Sequence, residues 1–432
     1  MAPSFSSMTY RHELTQQTET RLTKGTFGSL ITGYACPYIV TCDSFGQASN
    51  VWVIQPGEGE SLRLLTSLQP PIPASVTRIW AVYLSSSNVL VVGFNDPKRE
   101  IGIMRPYKLD TGEALRSLEL PGVFMAVHPS FRLVSGDTIA ADVASGDRRV
   151  PRVVVSTIVD EGLVEVNRFK TDLSTEAPSL ENLTALHLNG EGALLTSSTS
   201  IPSKILDLTL HGPSSTARIS LSPSFESDSL EPTAVVTLSS TSIALAIVEG
   251  ESEYDYDSRL NKSTIHRISH TPLSSEWAAP VTYKVDELTH HPSLGMLVAL
   301  GRHHGGEDVG WRNALTFIDE QSGKVIKTEY FRNPTQSTVA AIRCTSTDDF
   351  VAVYTTGRIY TSPLKSILDE GLPAGSDGRL LVEQTPPMRP EPYNASARKA
   401  GDQWQWVDHA FVGPKTVVLF ATRGPDFFAL RW

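Results

Sequence analysis

Histidine is the side chain whose ordinary titration falls nearest neutrality, so clusters of it are where proton transfer or metal binding is sought first. Four of the 11 histidines lie close together, as His290-His291 and as His303-His304. The second pair sits in Gly-Arg-His-His-Gly-Gly-Glu-Asp-Val-Gly-Trp at 301–311, with Glu307, Asp308 and Trp311 following it. The run 294–300 between the pairs is apolar. As an extended strand it spans roughly 23 Å, which puts the pairs at opposite ends and keeps them from sharing one metal ion. His303 and His304 could still form a local site with Glu307 or Asp308. Adjacent residues of an extended chain point to opposite faces, so this needs a curled loop. A single histidine could otherwise act as general base, with a carboxylate fixing its tautomer. The plainer reading is a glycine-rich loop with polar residues on its rim, and it is preferred.

Two further groups have chemical interest. The stretch 249–261 is acidic, with Glu249, Glu251 and Glu253 ahead of Tyr254-Asp255-Tyr256-Asp257. Its carboxylates do not follow the spacing of a calcium loop, which also needs a glycine at the sharp turn. Tyr254 and Tyr256 could anchor a basic partner, although a solvated acidic loop explains the stretch equally. Trp404 and Trp406 share a face at strand spacing and precede Asp408 and His409. They could line a stacking pocket, while packing between neighbouring sheets is the preferred reading. Asp408 and His409 form an acid–base pair only if a turn brings them together.

No nucleophile elbow, phosphate-binding glycine loop, paired-histidine zinc motif or dinucleotide fingerprint occurs. The cysteines, Cys36, Cys42 and Cys344, are odd in number and irregular in spacing, which implies neither a disulfide framework nor a zinc site. No cofactor and no metal are expected. The 432 residues carry a formal charge of -10 with 40% hydrophobic and 19% charged residues. This composition supports a large core and argues against a nucleic-acid partner. The sequence contains no apolar run long enough for a membrane span, and its N-terminal stretch lacks the basic start and apolar core of a secretory signal. A cytosolic or nuclear location, without membrane or secretion, is the expectation. The glycan-acceptor triplets at Asn182, Asn261 and Asn394 are then read as chance.

These side chains need a frame, and the frame is β. Short β-branched runs such as Val51-Trp52-Val53-Ile54, Val89-Leu90-Val91-Val92 and Val417-Val418-Leu419-Phe420 are bounded by Gly, Pro, Ser, Asn or Asp, a grammar of strands and turns. Only 10–24 and 363–370 could hold helices. A turn phrase recurs as Tyr107-Lys108-Leu109-Asp110-Thr111-Gly112-Glu113 and Phe317-Ile318-Asp319-Glu320-Gln321-Ser322-Gly323-Lys324. Glycines at 57, 112, 162 and 212 mark a beat near fifty residues. Four short strands per beat cannot bury both faces of their own sheet, and stacking in a ring covers them. The expected architecture is all-β: a single closed β-propeller of seven or eight four-stranded blades over 29–432, with segment 1–28 supplying a possible closing strand from 6–13. Blades are placed at 29–70, 76–121, 123–174, 182–222, 232–286, 287–332, 337–386 and, with about three strands of its own, 404–432.

The turn phrase resembles that of the WD-repeat family, in which an Asp-x-x-x-Gly-Lys turn joins the outer strand to the next blade. The resemblance covers two good turns and three loose ones. The family's Trp-Asp and Gly-His pairs are absent. It implies the propeller architecture and no activity. Two functions follow as expectations. One is a non-catalytic scaffold that docks a protein or peptide through loop aromatic and arginine side chains, with Tyr254, Tyr256, Trp311, Arg389, Tyr393, Trp404 and Trp406 as contacts. The alternative is an enzyme (isomerase, lyase, cyclase or lactone hydrolase) acting on a small organic molecule in the channel, using His303, His304, Asp308 and His409.

Overall fold

Apolar runs too short for a helical face, each closed by turn formers, leave the backbone one economical outcome, antiparallel pairing of chain neighbours. The computed structural model describes residues 7–10, 39–42, 51–56, 62–68, 77–84, 86–124, 133–145, 150–159, 161–170, 184–188, 193–200, 205–212, 216–225, 229–250, 262–304, 311–331, 339–354, 359–372, 407–413, 416–421 and 427–431. Among these, 31 strands and one short helix are formed.

The strands follow one another as consecutive meanders. After β1 (Ser7–Tyr10) come β2 (Ile39–Cys42), β3 (Val51–Pro56) and β4 (Leu62–Leu68) in one sheet. The next holds β5 (Thr77–Leu84), β6 (Val89–Asp96), β7 (Ile101–Lys108) and β8 (Leu118–Pro121). A five-stranded sheet follows, with β9 (Val123–Phe124), β10 (Leu133–Ser135), β11 (Thr138–Ser145), β12 (Val150–Val159) and β13 (Gly162–Lys170). Then come β14 (Thr184–Leu188), β15 (Leu194–Ser200), β16 (Ile205–His211) and β17 (Thr216–Leu221). The fifth sheet comprises β18 (Ser229–Ser239), β19 (Ser242–Gly250), β20 (Lys262–His270) and β21 (Leu273–Val281). The sixth comprises β22 (Lys284–His291), β23 (Met296–His304), β24 (Trp311–Asp319) and β25 (Val325–Phe331). After β26 (Val339–Cys344), β27 (Asp349–Tyr354) and β28 (Ile359–Pro363) comes α1 (Leu364–Glu370), and the last strands are β29 (Val407–Gly413), β30 (Thr416–Ala421) and β31 (Phe427–Arg431).

The last sheet draws its outer strand from the other end of the chain: β1 pairs antiparallel with β31, from Ser7 opposite Arg431 to Tyr10 opposite Phe428. Tyr10 is thus a strand residue, while the rest of the helix candidate 10–24 lies outside the described residues. The candidate at 363–370 is α1. The boundary placed at 286/287 falls earlier, because β22 already begins at Lys284.

The chain divides into two compact units, Met1–Pro97 with Arg105–Leu115 and Phe331–Trp432, and Lys98–Met104 with Arg116–Tyr330. Within the second unit, β14 lies beside β10 and β11, β18 beside β15 and β16, and β22 beside β18, β19 and β20. Within the first, β29 lies beside β26 and β27. Within each unit these sheets therefore stack first strand toward the preceding sheet. The fifth sheet is covered on both faces. Leu245, Ile247 and Ile268 meet Leu195, Leu208 and Leu221 on one side, and Ala244, Ala246 and Ile265 meet Val285, Leu297 and Ala299 on the other. Double covering explains why β19, Ser-Ile-Ala-Leu-Ala-Ile-Val-Glu-Gly, is buried throughout instead of alternating.

A register slip recurs in the first strand of six sheets. Ile79, Leu186, Thr233, Asp286, Ala340 and Asp408 are each passed over in the pairing with the second strand. Such a bulge bends and twists the strand and re-aims the side chains beside it. The two good turn phrases also share one geometry. Gly112 N donates to Lys108 O at 2.8 Å, as Gly323 N does to Asp319 O at 2.9 Å. Both glycines hold positive φ, 71° and 69°, the region a β-carbon disfavours. Aligned this way, Asp110 and Asp319 occupy different turn positions, so the glycine is the shared element.

Candidate interaction surface

The sixth sheet carries the histidine pairs, and its register fixes where they can act. His291 pairs with Met296 beside the β22–β23 hairpin, whereas His303 pairs with Arg312 and His304 with Trp311 at the far end of β23. His303 lies seven positions beyond Met296 along the strand, about 23 Å of extended chain. His303 and His304 are consecutive residues of β23.

The stretch read as a loop from 301 to 311 is shorter than its glycines suggest. Pairing continues out to His304 and resumes at Trp311, because the inter-strand hydrogen bonds outweigh the turn preference of single glycines. Trp311 is therefore the first residue of a strand rather than a loop anchor.

The described side chains at this end of the sheet form a compact polar and aromatic patch. The ring of His303 lies 4.9 Å from that of Tyr330, tilted by 45°. His303 Nδ1 is 3.2 Å from the carbonyl of Thr282, so the tautomer protonated at Nδ1 donates to it. The hydroxyls of Thr282 and Tyr330 are 3.3 Å apart. Beside them Arg302 Nε donates to Asp286 Oδ2 at 2.9 Å, both side chains being exposed. Asp286 is the bulge residue, and its pairing neighbours Val285 and Glu287 face Gly301 and Leu300. Lys284 pairs with Arg302, and Asp286, two residues on, reaches Arg302 from the bulge. The bulge needs Gly301, since a β-carbon there would come within 2.0 Å of Lys284 O. Beneath the patch, burial pushes the Tyr283 phenol well above its ordinary range. That hydroxyl donates toward Thr316 Oγ1 at 2.7 Å, with Ala299 O at 3.2 Å.

His290 finds an acid at the opposite end of the sheet: its Nε2 is 2.9 Å from Glu320 Oε2. Glu320 belongs to the turn phrase, and its carbonyl also accepts from Arg267 Nη1 at 2.9 Å and Trp277 Nε1 at 3.1 Å, both on the fifth sheet. The Glu320 carbonyl is thus a joint between the fifth and sixth sheets, supplied by the turn motif that marked the repeat.

Glu249 corrects another expectation. It closes β19 opposite Lys262, is 3% exposed, and accepts hydrogen bonds from Thr264 Oγ1 and, at 2.6 Å, from Phe225 N. Lys262 Nζ sits 4.7 Å over the Phe225 ring. This carboxylate seals a core edge and is not part of a solvated loop. His409 lies in β29 opposite Phe420, just after the passed-over Asp408. Asp308, Tyr254, Tyr256, Arg389, Tyr393, Trp404 and Trp406 lie outside the described residues. Among the described residues, no three His, Cys, Asp or Glu side chains converge as a metal site would require, and no helix is long and apolar enough to cross a membrane.

Tyr330, Thr282 and Asp286 were not singled out from the sequence. Their meeting with His303 and Arg302 depends on strand register and on a bulge, neither of which has a spacing signature.

No family model matches the chain, and no curated protein matches it. Solved structures similar to it are β-propeller proteins. Hsv2 of Kluyveromyces lactis is similar over 81% of this chain and 91% of its own, at 10% identity and a TM-score of 0.40. The Dos1 propeller is similar over 99% and 82%, at 12% identity and 0.40. A prolyl endopeptidase structure is similar over 80% of this chain and 49% of its own, at 10% identity and 0.48. At such identities the likeness concerns the fold alone.

Proposed function

We propose that the chain is a non-catalytic protein-interaction scaffold, built as one closed β-propeller of seven or eight blades with β1 closing the ring, and located in the cytosol or nucleus. The carrying observation is the patch of Arg302, Asp286, His303, Thr282 and Tyr330, four of them in strands and Thr282 in the bend between β21 and β22. Its groups are spread along a rim and hydrogen-bond to one another, an arrangement suited to docking a protein or peptide. His303, the best placed of the proposed catalytic histidines, spends its Nδ1 on a backbone carbonyl and its ring face on Tyr330.

The test is capture from cell extract with the full chain and with an Arg302→Glu/His303→Ala variant as baits. The expected result is a stoichiometric partner held by the wild type and lost by the variant, with thermal denaturation unchanged. Equal capture by both baits, or none by either, overturns the reading.

A further inference from the structure

His187 and His270 meet across the boundary between the fourth and fifth sheets, their ring centroids 5.0 Å apart and tilted by 33°. His187 is the penultimate residue of β14, and His270 is the last of β20, at the turn into β21. His270 is 5% exposed, and neither of its ring nitrogens has a hydrogen-bond partner. A neutral imidazole carries one donor and one acceptor. Burying both unpaired is unfavourable, and a buried polar group of this kind calls for a reason.

Among the described residues, the surroundings hold little that could compensate a charge. On the same face of the fifth sheet β20 carries His266, Thr264 and Lys262, and β19 carries Glu249, by the pairing of Leu245 with His266 and Glu249 with Lys262. Lys262 is eight residues along the strand from His270, about 26 Å away, so its pairing with Glu249 is remote. On the fourth sheet, β14 and β15 offer no charged residue apart from His187. Asp207 of β16 and Arg218 of β17 bond to each other on the opposite face, and His211 also lies on that face, bonded to Thr196. On β18 the face is Leu230, Pro232, Val235 and Thr237, and on β21 the residue opposite His270 is Leu273. Around the pair lie Leu195, Leu208, Ile243, Leu245 and Ile268.

We infer that the His187–His270 contact is a proton-operated latch, which joins this edge of the two sheets while both rings are neutral and releases it when they take up protons. An imidazolium here would lose its hydration without gaining an anion among the described residues, and a second one would face a like charge across the same 5.0 Å. Exposed to water, each ring regains solvation and its ordinary affinity for protons. Burial holds His187 down at about 4, with the charge of His270 lowering it further, and burial lowers His270 as well. Acid therefore favours the open edge. Each histidine raises the opening constant by up to about tenfold per pH unit below its open-state pKa of ~6.5, and the two together by up to about a hundredfold.

The test is hydrogen exchange of the full chain between pH 7.5 and 5, corrected for intrinsic rates and resolved by peptide. The expected result is that protection in 184–188, 194–200 and 262–275 falls steeply below pH 6.5 while protection in β23 and β24 holds. His187→Phe and His270→Phe, each filling the site with an apolar ring, should each flatten the slope. Uniform loss across the unit, unchanged protection down to pH 5, or an identical slope in a folded variant overturns the inference. Should neither variant fold, the regional pattern of the wild type decides alone.

Discussion

Trp277 occupies the space that a β-carbon on Gly323 would need: built there, that carbon falls 2.5 Å from Trp277 Cδ2. The contact joins the outer strand of the fifth sheet to the turn phrase of the sixth, and Trp277 Nε1 adds a hydrogen bond to Glu320 O at 3.1 Å. Gly323→Ala should therefore suffer twice. A non-glycine residue at positive φ costs about 1–2 kcal/mol, and displacing the indole brings the total to about 2–4 kcal/mol. Gly295 is the internal control, with φ of 64° and nothing within 4 Å of a built β-carbon. Gly295→Ala should lose about 1 kcal/mol only. Urea denaturation of the two variants checks the difference, and equal losses would remove the indole contact from the account.

The repeat was legible because its signals are local. Gly112 and Gly323 mark hairpins that one strand pair needs wherever it sits in the fold, and β-branched runs between such turns define strands without reference to partners. What binds sheet to sheet was not legible. Glu320 meets Arg267 and Trp277 across more than forty residues of sequence, and Asp286 reaches Arg302 through the register of β22 with β23. The acidic composition of 249–261 suggested water, yet Glu249 is the penultimate residue of a buried strand. One residue decides that difference, and composition over a window cannot resolve it. The histidine doublets attracted attention by adjacency, which in a strand separates side chains, while His187 and His270 come together from 83 positions apart.

The ion pair between Arg302 and Asp286 should matter for recognition more than for stability. Its side chains keep 60% and 38% of their exposure, so solvent screens the attraction to under about 1 kcal/mol. A double-mutant cycle with Arg302→Ala and Asp286→Ala, read by urea denaturation, should give a coupling in that range that shrinks further in salt. A coupling of several kcal/mol would make the pair structural and weaken the case for a docking patch.

Stability should fall as the medium becomes acidic. Burial lowers His266 and His187 to about 4 and lowers His211 and His270 as well. A histidine held neutral by burial binds fewer protons folded than unfolded. Its contribution is thus complete above the unfolded value of ~6.5 and is lost as pH falls from there toward about 4. The slope is up to about 1.4 kcal/mol per pH unit for each such histidine. His266, whose Nδ1 lies 3.2 Å from Ser275 Oγ, lies apart from the His187–His270 contact and can be removed separately. His266→Phe should reduce the slope of urea stability against pH between 6.5 and 5 by about one proton's worth. An unchanged slope would show that His266 titrates alike in the folded and unfolded chain.

The recurring slip also places hydrogen bonds between sheets. Thr233, passed over in β18, donates from Oγ1 to Val285 O at 2.7 Å. Val285 precedes the slip at Asp286 in the next first strand, and its N–H donates to Ser263 Oγ of the fifth sheet at 2.9 Å. The fully buried Val285 thus has both of its backbone polar groups served by hydroxyls of the fifth sheet. Thr233→Val keeps the shape and removes the donor, which should destabilise by about 1–3 kcal/mol because it strands a buried carbonyl. Ser263→Ala should act similarly on the N–H. The two losses converge on one residue, so the double variant should lose less than their sum by about 0.5 kcal/mol or more. Urea denaturation of the full cycle measures the coupling. Strict additivity would mean that the two hydroxyls stabilise their own strands and leave the joint between the sheets to apolar packing.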